Sequence, residues 1–198
     1  MKPTARQQPG HQVLRPAEVR LIGGRWKRSK LPVLNKPGLR PTPDRVRETL
    51  FNWLGQDLSG WRCLDAFAGS GALGFEAASR GAAEVLLLER DGRLVTSLRA
   101  SQARLQADKL QVHAADALAW MAACTAQRFE LVLLDPPFEA GLQAPALAAA
   151  VPLLVPGGWL YLESPAALAV NELPPGAELH RHGRAGQVHY HLLRRTNN

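Results

Sequence analysis

The sequence contains little cysteine and no long apolar run. Its 198 residues include 2 cysteines, Cys63 and Cys124, whose spacing fits neither a metal site nor a disulfide framework. We expect both to be buried, reduced thiols without a chemical role. No segment is long enough to cross a bilayer, and the start of the sequence lacks the apolar stretch of a secretory signal. These absences favour a soluble cytoplasmic protein that does not act at a membrane.

Acidic residues are scarce in the first fifth of the sequence. Residues 1–40 contain 10 lysines and arginines and only 1 acid, whereas residues 41–198 contain 14 basic and 16 acidic residues. The net charge is therefore +9 in the first part and −2 in the second, which together give the +7 of the whole chain. We place a domain boundary here, with a basic extension over residues 1–40 and one larger domain over residues 41–198.

The basic extension contains a predicted hairpin. Residues 19–34 have short β-like runs on both sides of a Gly23-Gly24 turn signal. A cationic hairpin with an aromatic side chain is suited to nucleic acid, and a basic tail of no specific use is the alternative. The candidate nucleic-acid contacts in this segment are Arg25, Trp26, Lys27, Arg28, Lys30 and, farther along, Arg40.

A helix is predicted directly after the basic extension. Thr42 is a favourable N-cap, Pro43 suits the first helical position, and Gly55 suits the end. Its apolar face contains Val46, Leu50, Trp53 and Leu54. Arg45 and Arg47 are expected elsewhere on its first turns, where they either bind phosphate or are solvated.

Strand signals and helical segments then alternate along the rest of the chain. The five apolar runs lie at residues 62–67, 84–89, 110–115, 129–135 and 158–164. This alternation predicts an α/β fold with a doubly wound, Rossmann-like, mostly parallel sheet. The end differs, because residues 178–182 and 187–193 flank a turn signal at 183–186 and predict a closing antiparallel hairpin.

A glycine-rich turn follows the first of these strands. Gly69 and Gly71 let the backbone approach a ligand at a helix N-terminus, and Glu89 ends the next strand, where its carboxylate suits the hydroxyls of a ribose. A nucleoside-containing cofactor is therefore expected. The same glycine spacing also fits a dinucleotide and hydride transfer, but Asp65 favours a cationic group over a pyrophosphate.

Asp116 follows the third strand and allows two readings. Its carboxylate is placed to accept from the amino group of an adenine, but it is also a good N-cap for the next helix.

The tetrad Asp135-Pro136-Pro137-Phe138 follows a buried strand and carries the most chemical information. Two prolines stiffen the turn and hold two acceptors, the Asp135 carboxylate and the Pro136 carbonyl, beside the Phe138 ring. An exocyclic amine on a nucleobase is a weak nucleophile, and two acceptors on its N–H bonds make its lone pair more available. The tetrad thus suggests amine methylation, and a simple strand-ending loop is the alternative.

These motifs resemble those of a known family. DAFAGSGALGFEA, LLLER, the Asp116 turn and DPPF are similar to the successive motifs of class I S-adenosylmethionine-dependent methyltransferases. LIGGRWKRSKLPV, LRPTPDRVRETLFNWL and GQVHYHLLRR add a resemblance to the RsmD family of 16S ribosomal RNA guanine-N2 methyltransferases. The resemblance covers residues 18–195 and makes residues 41–198 a methyltransferase domain with the basic extension as its RNA-binding part.

The resemblance implies a role for each site residue. Asp65 and the backbone at Phe67, Gly69 and Gly71 would hold the methionine part of S-adenosylmethionine, Glu89 the ribose, and Asp116 with the Ala117 amide the adenine. Asp135 and the Pro136 carbonyl would hold the guanine amine, with Pro137 stiffening the turn and Phe138 stacking on the extruded base. The expected partner is 16S ribosomal RNA in the small ribosomal subunit. We expect a monomer that needs no metal.

Three other functions compete with this interpretation. An adenine-N6 methyltransferase acting on DNA would use the same tetrad. A ribosome-assembly factor without catalysis would keep only the RNA-binding part. An NAD-dependent oxidoreductase would leave Asp65 and the tetrad unexplained.

Two expectations concern the ends of the sequence. Removal of residues 1–40 is expected to abolish RNA methylation and to leave cofactor affinity intact, because the RNA-binding charge lies there. In the closing hairpin, simple pairing would put His180, His182, His189 and His191 on one face. We interpret that row as a surface feature and not as a metal site.

Overall fold

The computed structural model describes residues 17–36, 42–126 and 128–196. The strands are β1 (Ala17–Arg20), β2 (Lys30–Val33), β3 (Arg62–Asp65), β4 (Glu84–Glu89), β5 (Leu110–Ala114), β6 (Phe129–Leu134), β7 (Leu154–Ser164), β8 (Ala177–Ala185) and β9 (Val188–Arg195). The helices are α1 (Asp44–Trp53), α2 (Ala72–Ser79), α3 (Gly92–Leu105), α4 (Ala117–Ala123) and α5 (Gln143–Ala150). Short 3-10 helices lie at Phe138–Ala140, Val151–Leu153 and Val170–Glu172.

One sheet of 7 strands in the order β5-β4-β3-β6-β7-β9-β8 forms the centre of the protein. The strands from β5 to β7 are parallel, and β9 pairs antiparallel with both of its neighbours. Helices cover both faces, which is why strands such as β6 are continuous apolar runs. The predicted doubly wound sheet with a closing antiparallel hairpin is confirmed.

The strand order reverses between β3 and β6. From β3 the chain proceeds outward through β4 and β5, and it then returns to add β6 and β7 on the other side. The carboxyl ends of these parallel strands meet at one edge of the sheet, where a crevice opens at the reversal point. The residues that follow the strands are thereby brought together.

The amino-terminal hairpin, residues 17–33, packs into the same core as α1 and α2. β1 and β2 pair from Ala17 with Val33 to Arg20 with Lys30, and Val19, Leu21 and Leu31 are buried. The hairpin is thus part of the fold, and removing it would expose core surface. The truncation expected above to spare cofactor affinity would also disturb the core, so substitution of the exposed basic side chains is the better test. Arg40 and residues 1–16 lie outside the described residues.

The loop of this hairpin docks on the last turn of α2. The Arg25 N–H donates to the Ser79 carbonyl at 2.7 Å, and the Trp26 N–H donates to the Ser79 hydroxyl oxygen at 2.9 Å. A Cβ on Gly24 would stand 1.8 Å from the Ser79 carbonyl oxygen, and Gly24 has a φ of +69°, so only glycine fits there. The loop that carries the basic side chains therefore has a fixed position.

Arg47 corrects the sequence analysis. It is fully buried, at 0% exposure, and its guanidinium donates to the Thr42 carbonyl, the Arg20 carbonyl, Asp44 and Glu76. A residue enclosed in this way does not reach RNA, so its prediction as an RNA contact is wrong. Spacing along α1 did not reveal the burial, because the surface that covers Arg47 comes from the hairpin.

The Glu76 carboxylate of α2 is buried and is one of the groups that accept a hydrogen bond from Arg47. Its Oε2 accepts from the Ile22 N–H at 2.9 Å and from Arg47, and its Oε1 accepts from Arg80 at 2.8 and 3.0 Å. One carboxylate thus joins the hairpin to α1 and α2.

The caps of α1 also differ from expectation. Pro43 occupies the N-cap position without a side-chain cap, and Thr42 directs its hydroxyl at Asp135. The predicted end at Gly55 is confirmed, because Leu54 is the C-cap and Gly55 follows it with a φ of +90°.

The closing hairpin turns later than predicted. Ala185 pairs with Val188, so the turn lies at residues 186–187 and not at residues 183–186. A bulge between Leu179 and Arg181 moves His180 to the opposite face, where its ring contacts Trp159 at 4.9 Å. His182, His189 and His191 stack together without it, so the predicted row of four is wrong.

The remaining sequence predictions concern thiols and membranes. Both cysteines are free; Cys63 is buried on β3, where burial raises the pKa of its thiol, and Cys124 is half-buried after α4. Within the described ranges, no helix combines the length and the apolarity needed to span a membrane.

We predict that Arg47→Ala lowers the free energy of unfolding by about 3–5 kcal/mol, because it leaves the buried Glu76 carboxylate short of one cation. Arg45→Ala, at an exposed site on the same helix, is the matched control and should change stability by about 0.5 kcal/mol or less. Urea denaturation of both variants measures the difference. Equal stability of the two variants would contradict the structural role of Arg47.

Candidate functional site

A cavity of about 600 Å³ opens at the carboxyl ends of β3, β4, β6 and β7. Its walls come from the glycine-rich turn, the ends of these strands, the start of α4 and the start of α1. The polar and aromatic side chains and the tetrad prolines that line it are Lys36, Thr42, Asp65, Phe67, Ser70, Glu89, Arg90, Asp116, Asp135, Pro136, Pro137, Phe138, Glu139 and Glu163. Most of the predicted site residues are thus brought together in one place.

The two predicted glycines have different roles. Gly69 lines the cavity, and its N–H donates to Glu89 Oε2 at 3.0 Å. Gly71 does not line the cavity and is the N-cap of α2 with a φ of +79°. A Cβ there would stand 2.6 Å from the Leu98 side chain. Packing and turn geometry therefore require glycine at position 71. The predicted close approach of the backbone to a ligand remains for Gly69 and not for Gly71.

Asp65 is a buried carboxylate at the end of β3. Its Oδ2 accepts from the Gly74 N–H at 2.9 Å, and its buried Oδ1 has no hydrogen-bond partner among the described residues. Burial raises the pKa of Asp65 to about 7, and the negative charge of Glu89 adds to this, while the bond from Gly74 opposes it. Such a group is well suited to a cationic ligand, which would supply the missing partner.

Glu89 is oriented by the backbone. Its Oε2 accepts from Gly69, and its Oε1 accepts from the Asp91 N–H at 2.9 Å. Each oxygen retains acceptor capacity for a second donor, as two neighbouring hydroxyl groups require. Next to it, Lys36 pairs with Asp91 at 2.8 Å and lowers the pKa of that carboxyl to about 2.

Asp116 lies at the far end of the cavity, after β5. Its Oδ1 accepts from the Ala119 N–H at 3.0 Å, so it is the N-cap of α4, as one of its two readings predicted. It also lines the cavity together with Ala117, so capping α4 does not remove it from the site.

The tetrad lies at the carboxyl end of β6, as predicted from the sequence. All four of its residues line the cavity, and Phe138 begins a 3-10 helix there. The Thr42 hydroxyl donates to Asp135 Oδ2 at 3.4 Å, a long contact. Burial raises the pKa of Asp135 well above its ordinary range, and the charges of Glu163 and Asp65 raise it further.

Glu163 is the acid that sequence reasoning missed. It lies near the end of β7, is 3% exposed, lines the cavity, and accepts a hydrogen bond from the Tyr161 hydroxyl at 2.9 Å. The only signal in the sequence was its place in the apolar run of residues 158–164, two residues after Tyr161.

The basic side chains of the hairpin divide into two kinds. Arg25, Lys27 and Arg28 are exposed on the docked loop, whereas Lys30 pairs with Glu18 at 2.6 Å. Trp26 is half-buried against the core, and the Arg25 guanidinium lies 5.8 Å from the centroid of its ring. On α1, Arg45 is exposed. The cationic surface therefore consists of the loop and the first turn of α1.

The cavity acids that lie at or after strand ends follow the order of the sheet. Across the strands β5, β4, β3, β6 and β7 they are Asp116, Glu89, Asp65, Asp135 and Glu163. A ligand pair lying along this line meets acceptors throughout, so the site favours molecules rich in N–H, O–H or positive charge.

The stacked histidines of the closing hairpin lie outside this cavity. Burial and the nearby His182 lower the pKa of His191 to about 4. No group of three or more His, Cys, Asp or Glu side chains within residues 17–36, 42–126 and 128–196 has a geometry that could hold a metal ion.

Comparison with known proteins gives consistent matches. The model of the family described as conserved hypothetical protein 95 matches residues 19–194. The chain is 44% identical over 184 residues to the ribosomal RNA small subunit methyltransferase D of Escherichia coli strain K12, and the match covers 90% of each. The corresponding protein of Haemophilus influenzae is 44% identical over 146 residues, which cover 72% of this chain and 74% of that protein.

A solved structure is similar to the whole fold. The putative methyltransferase yhhF of Escherichia coli superimposes with a TM-score of 0.82 at 38% identity and covers 92% of this chain and 100% of that one. Residues 19–194, which the family model matches, include most of the hairpin, all of α1 and the residues of the cavity.

We predict that Asp65→Asn changes how stability depends on pH. Because the pKa of Asp65 rises from 3.8 in the unfolded chain to about 7 in the folded protein, the folded state binds a proton that the unfolded chain releases between these values. Stability therefore falls as the pH rises from about 4 to about 7, by at most about 1.4 kcal/mol per unit for this group. The variant lacks this group and should show a smaller slope in urea denaturation between pH 5 and 7.

Above pH 7 both proteins should lose no further stability from this position. The substitution also removes the Asp65 charge that helps to raise the pKa of Asp135, and this second effect reduces the slope in the same direction. Equal slopes in the two proteins would mean that Asp65 titrates near its ordinary value.

Proposed function

Because the chain belongs to the RsmD family, whose model is described as conserved hypothetical protein 95, we propose that it methylates ribosomal RNA of the small subunit with S-adenosylmethionine. The finer proposal is that the methyl group goes to the exocyclic N2 amine of a guanine in 16S ribosomal RNA, at position 966 in the family name. The observation that carries the first proposal is the meeting of Asp135 and Pro136 with Asp65 and Glu89 in one cavity. The family name supports the finer one.

The cavity fits this cofactor. The buried Oδ1 of Asp65 has no hydrogen-bond partner in the described part of the chain, and a ligand that brings positive charge would stabilise the ionised form of this carboxyl group. Asp65, Phe67 and Gly69 would hold the methionine part, Glu89 the ribose, and Asp116 with the Ala117 N–H the adenine. When bound, S-adenosylmethionine supplies an electrophilic methyl group on a positively charged sulfur.

The tetrad would hold the amine that accepts the methyl group. The Asp135 carboxylate and the Pro136 carbonyl would each accept one N–H of the amine, which localises its lone pair and fixes its direction. Phe138 would stack on the base and so keep it extruded from the RNA. Burial and the neighbouring acids raise the pKa of Asp135, and N–H donors from a bound amine would favour its ionised form.

The cationic surface formed by the docked loop and the first turn of α1 would bind the RNA backbone. Arg25, Lys27, Arg28 and Arg45 are exposed, and phosphate contacts by such residues set affinity and register without reading sequence. Because the loop docks on α2, which begins in the cavity wall, its distance from the site is fixed. Small ribosomal subunits are therefore the substrate to test first.

The test of the reaction uses labelled S-adenosylmethionine. Small subunits from a strain that lacks the corresponding gene should accept label on guanine N2, whereas duplex DNA should not. Labelling of adenine in DNA would favour the adenine-N6 alternative. No label on either substrate, with cofactor binding intact, would favour an assembly factor.

We predict that Asp135→Ala lowers turnover by about 10²-fold or more and leaves cofactor affinity within a few-fold, because the lost acceptor acts on the amine. Single-turnover methyl transfer and calorimetric titration with S-adenosylhomocysteine measure the two quantities. Glu139→Ala, a neighbouring exposed acid of the same cavity, is the matched control and should keep near-normal turnover. A near-normal rate in Asp135→Ala would remove the tetrad from the mechanism.

We predict that removing the positive charge of the hairpin loop weakens RNA binding and spares the cofactor. The variant combines Arg25→Gln, Lys27→Gln and Arg28→Gly, with glycine chosen because Arg28 has a φ of +73°. Each lost phosphate contact should reduce the salt dependence of subunit binding by about one unit of slope. Filter binding at several salt concentrations measures it.

Lys109→Gln is the charge control for this experiment. Lys109 precedes β5 and lies at the opposite end of the strands from the cavity. Its loss should leave the slope unchanged. If the loop variant also binds subunits with an unchanged slope, the RNA lies elsewhere.

A further inference from the structure

Glu163 is a buried acid of the cavity to which the proposed function so far gives no role. The register of β6 and β7 pairs Leu134 with Leu162, so the next residues of the two strands, Asp135 and Glu163, are neighbours. Alternation along the strands puts both side chains on the sheet face that carries Tyr161 and Leu133. The charge of Glu163 raises the pKa of Asp135, which agrees with their closeness.

Tyr161 holds Glu163 in one orientation. Its hydroxyl is completely buried and donates to Glu163 Oε1 at 2.9 Å. Burial and the charge of Glu163 raise the pKa of the phenol well above its ordinary range, so this hydroxyl remains a donor. This hydrogen bond holds Oε1 in place and so fixes the orientation of the Glu163 carboxylate.

The order of the sheet tells which part of the substrate Glu163 would meet. Glu89, Asp65 and Asp135 follow one another across β4, β3 and β6. In the proposed function they bind, in the same order, the ribose, the methionine part and the target amine. Glu163 on β7 lies one strand beyond Asp135, on the side away from the cofactor. The ring atom next to the amine is therefore the part of the base that would reach Glu163.

That neighbouring group distinguishes the bases. In guanine the N2 amine lies between N1–H, a donor, and N3, which carries a lone pair; of these two neighbours only N1–H can donate to a carboxylate. In adenine the N6 amine stands next to the N1 lone pair, and in cytosine the N4 amine stands next to the N3 lone pair. A carboxylate facing that position accepts from guanine and repels the other two.

We propose that Glu163 accepts the N1–H of the target base and so selects guanine over other bases that carry an exocyclic amine. This inference rests on the proposed function and adds a specificity-determining residue to it. Asp135 would hold the reacting amine and Glu163 the adjacent ring N–H, so the two acids together match the two donor groups of one guanine edge.

The test compares two substrates that share the reacting amine. Small subunits are reconstituted with 16S ribosomal RNA that carries either guanine or 2-aminopurine at the nucleotide methylated in the guanine substrate. 2-Aminopurine keeps the 2-amino group but has a lone pair at N1. The wild-type protein should prefer guanine by about 10-fold or more in kcat/KM, because the N1 lone pair of the analogue would face the Glu163 carboxylate and be repelled by it.

Glu163→Gln should narrow or reverse this preference. Tyr161 would still donate to Oε1, so the new amide N–H₂ group would take the place of the second oxygen and donate to N1 of 2-aminopurine. The guanine rate should fall and the 2-aminopurine rate should rise, with a change in their ratio of about 10²-fold. Glu139→Gln, an exposed acid of the same cavity, is the matched control and should leave the ratio unchanged.

Several results would overturn the inference. A wild-type protein that methylates both substrates equally well excludes it without any variant. Glu163→Gln that lowers both rates by the same factor would make Glu163 a structural residue only. If that variant does not fold, Tyr161→Phe keeps the carboxylate and removes its anchor, and it should loosen the preference by a few-fold; an unchanged preference there counts against the inference.

The two proposals fail in different ways. If the wild-type protein transfers no methyl group to guanine-containing subunits, the proposed function fails, and this inference fails with it. If transfer occurs and the ratio is unaffected by Glu163→Gln, only the inference fails. Affinity for S-adenosylhomocysteine within a few-fold of wild type confirms that the variant has an intact site.

Discussion

The carboxylate of Glu76 holds the amino-terminal hairpin, α1 and α2 together inside the protein. It accepts from the Ile22 backbone and from two arginines, Arg47 and Arg80. The loss of either arginine would leave the buried carboxylate short of one cation, so the three partners stabilise one another. Arg47 also donates to the Thr42 carbonyl, and Thr42 contacts Asp135. The surface proposed to bind RNA and the tetrad are therefore linked through the first residues of α1.

A second constraint acts at the cavity, where acids stand close together in a partly desolvated place. Asp65 and Asp135 have raised pKa values because burial and their like-charged neighbours disfavour ionisation. Without ligands, the electrostatic energy of this row of acids is unfavourable. It becomes favourable when ligands bring a positive charge and N–H donors. The same row of buried acids thus raises these pKa values and favours ligands that carry positive charge or N–H donors. The same electrostatics explain why the site suits amines and a cationic methyl donor.

Much of the fold could be predicted because its signals are local. β4 and β6 are short apolar runs bounded by polar or breaking residues, and the structure places them at Glu84–Glu89 and Phe129–Leu134. The glycine-rich turn and the tetrad follow strand ends, where a parallel sheet gathers them. Details that depend on pairing were less accessible. One bulge next to His180 moved that side chain to the other face, and periodicity alone carries no sign of a bulge.

The sequence by itself determined the class of fold, the family and the place of the tetrad, since apolar periodicity, glycine positions and prolines act within a few residues. Only the tertiary structure decided where Arg47 and Glu163 lie, the first buried in the core and the second in the cavity wall. Arg47 has the spacing of a surface residue on α1 and is buried because the hairpin covers it. Glu163 reads as one more residue of a strand and becomes part of the site because β7 lies beside β6. Both outcomes depend on contacts between segments far apart in the chain, which no local pattern encodes.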